Sequence, residues 1–140
     1  MFNPTREQVR HFFCAARRKQ RERLPLEAAE ALAAAVIDIH PEYHALLDSP
    51  ELALAAGTTA DGAAPFLHLS LHLAIAEQLS IDQPPGIRAA RATLCARLDP
   101  HTAEHRLMDC LAEIVWQAGQ DGTAPDGERY LDAIRRCARG

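Results

Sequence analysis

Aromatic residues are scarce in this chain, at 5% of its 140 positions, and alanine and leucine dominate instead. That balance favours helix over strand. Long hydrophobic runs are also missing. No stretch approaches the length of a membrane span, which argues against a membrane partner. Nothing near Met1 reads as a leader, because charges continue through the first segment and no long apolar core follows. The four cysteines (Cys14, Cys95, Cys110 and Cys137) form no CxxC pair, so thiolate ligation is disfavoured and reduced, packed thiols in a cytoplasmic protein are expected. A net charge of −4 excludes a general nucleic-acid binder. No Walker loop, dinucleotide fingerprint, GxSxG elbow or HExxH segment occurs. A protein partner or a homo-oligomer stays open.

Proline is present and well placed. Asn3-Pro4 opens a first helix to about Arg23, with Val9, Phe12, Phe13 and Ala16 on its apolar side. Pro25 opens a second, Leu26 to Ile39, which stops before Pro41 because the residue preceding proline is pushed out of helical geometry. Pro41 and Pro50 start short helices to Leu47 and Ala56. Gly57 to Ala64 reads as a loop, and Pro65 begins a strongly apolar helix to about Ser80. Asp82-Gln-Pro-Pro-Gly86 is a rigid turn before a helix from Ile87 to Leu98. Asp99-Pro100 is a cap-and-first-residue pair opening a long helix to about Ala118. Asp126 or Gly127 starts the last helix, to Cys137. No strand-period alternation, repeat or linker appears. The expected fold is all-α: a single-domain helical bundle over residues 1–140, with four longer helices and shorter ones around them.

The seven histidines are the most informative residues. Six fall into three pairs spaced i, i+4: His40/His44, His68/His72 and His101/His105. Random placement would give about a third of one such pair. On a helix this spacing puts two imidazoles one turn apart on the same face, which suits a shared metal ion.

In Pro65–Ser80, His68 and His72 fall in the middle of an apolar stripe with Ile75, Ala76 and Leu79, and Glu77 lies opposite. Ser70 faces away from both histidines, which excludes a Ser-His pair within this helix. A buried imidazole needs partners for both nitrogens, and leaving polar groups bare costs roughly 2–7 kcal/mol each. A metal on one nitrogen and a carbonyl or carboxylate on the other satisfies both. A hydrogen-bonded histidine core is the plainer alternative.

His40 and His44 flank the break at Pro41, so helix geometry does not fix their approach, and His40 also suits a cap. His101 lies in the first turn of its helix. Asp109 follows His105 at i+4 and Glu113 at i+8, and the column His101-His105-Asp109 presents two imidazoles and a carboxylate on one face. His101-Thr-Ala-Glu-His105 also matches HxxEH, the inverted zinc-peptidase pattern, with Glu104 as the base. That pattern is short, and this chain has little room for a substrate cleft. His11 is unpaired and reads as a surface residue. The basic run Arg17 to Arg23 suits phosphate contacts, but it fits better as a solvated helix end complementing the macrodipole.

Helices carrying such pairs resemble the hemerythrin-like and ferritin-like bundles in architecture and ligand type only, since no ExxH signature is present. A closer resemblance runs over nearly the whole chain. Met1-Phe-Asn-Pro4, His40-Pro-Glu-Tyr-His44, the segment from Pro65 to Gln78, Asp82 to Ile87 and Ala103-Glu-His105 resemble a proteobacterial family catalogued as domain of unknown function 1841. That resemblance implies a stand-alone bacterial protein and carries no activity, cofactor or partner with it. Ala64 departs from the capping asparagine that the family implies at the start of the central helix.

The expectation is therefore a helical protein binding one or two transition-metal ions (iron, zinc or manganese) through nitrogen and carboxylate. The candidate ligands are His44, His68, His72 and His105, with His40, Asp109 and Glu113 in addition. Whether it is an enzyme stays open. The competing classes are a structural or interaction module with a hydrogen-bonded histidine core and, further off, a small zinc hydrolase using Glu104.

Overall fold

Proline and acidic caps divide the chain into helices much as the spacing predicts. The computed structural model describes residues 6–55 and 60–139. Among them are α1 (Arg6–Arg21), α2 (Ala28–Asp38), a 3-10 turn (Pro41–Tyr43), α3 (His44–Leu47), α4 (Pro50–Ala55), α5 (Ala60–Ile81), α6 (Ile87–Cys95), α7 (Pro100–Asp121) and α8 (Gly127–Arg139). No strand occurs among the described residues, and the fold is all-α. The expected cap at Asn3-Pro4 lies outside the described residues.

Two helix starts differ from expectation, and among the ends α6 stops at Cys95 rather than Leu98 while α7 runs on to Asp121. Pro25 does not open α2; Glu27 is its N-cap, and the Glu30 carboxylate accepts the Glu27 N–H at 2.9 Å. The expected loop before Pro65 is helical from Ala60 onward, so Pro65 lies inside α5 and Ala64 is not at its start. Pro65 is the sixth residue of α5, past the first turn where proline is tolerated without loss, and the alanine-rich residues around it favour helix.

The chain divides into two compact units, Met1–Leu73 and Ala74–Gly140. In the first, α1 packs on α2, α3 and α4. Phe13, Ala16, Ala33, Ile37, Leu47 and Leu69 are buried there. The Arg10 guanidinium lies 5.1 Å from the Phe66 ring centroid, a cation–π contact. The basic end of α1 is absorbed by acids of the same unit: Arg17 Nε pairs with Asp48 at 2.9 Å, Arg18 with Glu22 at 2.9 Å, Lys19 with Glu30 at 2.7 Å and Arg21 with Asp48 at 3.1 Å.

In the second unit α6, α7 and α8 pack pairwise around Ile87, Leu94, Leu107 and Ile134. The turn before α6 holds Asp82 at φ 53° and Gly86 at φ 102°, with a cis Gln83–Pro84 bond. Glycine suits the second position because a side chain there is strained. The Asp82 carboxylate accepts the Arg88 N–H at 3.0 Å. Asp99 caps α7 as expected, accepting the Thr102 N–H at 3.0 Å. Arg97 donates to the carbonyls of Ala138 at 3.0 Å and Cys137 at 3.1 Å, satisfying the open end of α8. Val115 and Trp116 of α7 are exposed. No described helix is long and apolar enough to cross a membrane.

Candidate metal centre

In the first unit, α2 ends at Asp38 and Pro41 prevents its continuation. His40, in the break, is an N-cap position with φ −127°, but its side chain caps nothing. It turns inward and is 1% exposed. Its Nδ1 lies 2.7 Å from the carbonyl oxygen of Val36. A carbonyl only accepts, so Nδ1 carries the hydrogen, and in the neutral ring the lone pair sits on Nε2. That lone pair faces His68, whose Nε2 is 2.9 Å away.

His68 and His72 come from α5. At about 100° per residue, the buried positions Phe66, Leu69, His72, Leu73 and Ile75 define a stripe centred on Leu69 and His72. His72 is fully buried and His68 lies at the stripe's edge, half-buried. The expected stripe is thus rotated, although Glu77 is exposed as predicted. The His40 ring stands edge-on to both, with centroids 4.7 Å from His68 and 5.0 Å from His72. Ring nitrogens of these three histidines lie within 4.8 Å of one another. Two nitrogens that share one ion at about 2.0–2.1 Å lie roughly 2.9–3.4 Å apart, so the His40–His68 spacing fits such sharing.

Tyr43 closes one side. Its ring stacks on His40 at 5.6 Å and 11° and meets His68 edge-on at 6.0 Å. Burial, aided by the charge of Glu42, pushes its hydroxyl above the ordinary tyrosine value, so it stays a neutral phenol. Sequence reasoning passed over Tyr43. Its signal was the i+3 offset from His40, which a tight 3-10 turn converts to stacking.

His44 does not enter this group. Its Nε2 donates to the Ile37 carbonyl at 2.8 Å, tying the turn back to α2. In the second unit His101 and His105 meet one turn apart on α7, with centroids 4.1 Å apart at 78°. Asp109 and Glu113 are exposed on the same helix. Neither belongs to a group of ligand atoms close enough to hold an ion among the described residues. Glu104, between the two histidines, receives Arg91 through Nε at 3.0 Å and Nη2 at 2.8 Å, both on one carboxylate oxygen. His11 is exposed, as predicted.

A family profile described as domain of unknown function (DUF1841) matches residues 5–136. The chain belongs to the DUF1841 family. No curated protein and no solved structure matches it. The matched span includes all seven histidines, so in this DUF1841 chain both imidazole groups belong to the family domain.

Proposed function

We propose that this DUF1841 protein binds one or two transition-metal ions through imidazole nitrogen. His40, His68 and His72 are the primary ligands, and His101/His105 is a separate imidazole pair of the second unit. The observation that carries this reading is the arrangement at His40. A buried ring donates one N–H to a backbone carbonyl and directs its other nitrogen at a second imidazole. Such a second-shell carbonyl orients a metal-binding histidine and fixes its tautomer. With Asp109 and Glu113 exposed, the donor set is nitrogen alone. That chemistry suits zinc or iron better than manganese. A hydrolase using Glu104 is disfavoured, because the Arg91 guanidinium donates twice to one oxygen of that carboxylate and pairs its charge.

One observation favours a second reading. The 2.9 Å contact between His40 Nε2 and His68 Nε2 is also an ordinary N–H···N hydrogen bond, as a structural histidine core would form. Metal analysis of untagged protein separates the two. Under the first reading the parent holds stoichiometric metal, and the double variant His68→Ala, His72→Ala loses it while keeping its helical content. A parent that never retains metal, with a variant that unfolds, supports the structural core.

A further inference from the structure

A second concentration of charge lies on α8, away from the histidines in sequence. A groove of about 610 Å³ between α7 and α8 is lined by Arg129, Arg135, Arg136 and Arg139, with Glu113 and Asp132 as its carboxylates. At about 100° per residue the four arginines and Asp132 fall within an arc of roughly 120° on α8. Tyr130, Ile134 and Ala138 face the core on the other side.

These arginines differ from those on α1. Each α1 cation near its basic end has a carboxylate at 3.1 Å or less. Arg135, Arg136 and Arg139 form no ion pair among the described residues, and Arg129 reaches Asp126 only at 3.9 Å. In a chain of net charge −4, four guanidiniums against two carboxylates make a local positive field in a concave site. A neighbouring groove, which shares Ile114, Gln117 and Arg129, carries Asp121 and Asp126 at its opposite end. An anion is therefore directed toward the C-terminal half of α8. The volume fits a small molecule, and the lining contains no aromatic ring to stack a base.

We infer that this groove binds a small oxyanion carrying at least two negative charges. Guanidinium groups match phosphate and carboxylate oxygens through paired N–H donors. Calorimetric titration with pyrophosphate and, separately, with citrate at constant ionic strength tests the site and distinguishes a phosphate from a polycarboxylate ligand. Saturable 1:1 binding of at least one is expected. It should weaken at least tenfold in Arg135→Gln, Arg136→Gln, and severalfold in Arg136→Lys, which keeps the charge but loses the fork. Arg18→Gln, with a similar charge change on α1, should bind within twofold of the parent. The absence of saturable binding of either anion overturns the inference, as does equal weakening in Arg18→Gln. So does unchanged binding in the α8 variants, which is the result expected if the anions merely extract metal from the histidines. The metal reading stands or falls independently of these outcomes.

Discussion

His40 donates its Nδ1–H to the carbonyl oxygen of Val36 across 2.7 Å, four residues back in the chain. This bond ties the break after α2 to the last turn of that helix. It also determines which nitrogen of His40 faces His68. His40→Ala removes the donor and leaves a buried carbonyl without it, at a cost of about 1–3 kcal/mol. Chemical denaturation should show that loss, and the same variant should retain less metal. A variant as stable as the parent would contradict a structural role for the bond.

Metal and stability are linked. An ion that binds only the folded chain stabilises it by about 2.7 kcal/mol at about 100-fold over its Kd. Thermal melts with added zinc should rise accordingly, and a chelator should reverse the rise. The expected response is absent in His72→Leu, which keeps the apolar bulk but supplies no nitrogen. If zinc raises Tm equally in parent and variant, His72 is not a ligand.

Asp48 should set part of the acid limb of stability. The Arg17 hydrogen bond, together with the charges of Arg17 and Arg21, holds its carboxyl below the ordinary value. A depressed folded pKa contributes stability that is present above the unfolded pKa of about 3.9 and lost as pH falls through the folded value. The pair is partly exposed, with side chains at 15% and 29%. Asp48→Asn should therefore lower Tm at pH 7 by no more than about 4 °C. Melts from neutral to acid pH should show the two proteins converging. A pH-independent gap would mean that the side chain acts through packing.

Cys110 should be a sluggish thiol. Burial, with Cys137 beside it, pushes its pKa up to about 11, and its Sγ lies 3.7 Å from the Ala133 carbonyl. Since the thiolate is the nucleophile, alkylation at pH 8 should be about two orders of magnitude slower than for free cysteine. Mass spectrometry after timed iodoacetamide treatment measures this. Labelling of Cys110 at the free-cysteine rate would show that the packing around it opens readily.

Much of the helical plan was legible. Asp99-Pro100 announced α7 because a carboxylate acceptor followed by proline satisfies a helix start locally. Gly127 opened α8 as expected. The start of α5 was not legible, since proline is read as an opening and only the chain around it shows that helix precedes it. Within the histidine set, His68 and His72 were correctly placed on one helix, but the rotation of their stripe depended on what packs against α5. Tyr43 went unnoticed because its value comes from stacking on His40.

By itself, the order of residues determined the all-α character, most helix starts and the one-turn spacing of the imidazoles. These depend on backbone geometry within a few positions. Only the tertiary structure decided that His40 joins His68 and His72 while His44 turns to Ile37. It likewise decided that Asp109 and Glu113 face solvent. The reason is physical: Pro41 ends the helical register between His40 and His44, and the direction of a side chain beyond such a break is settled by packing between segments distant in sequence.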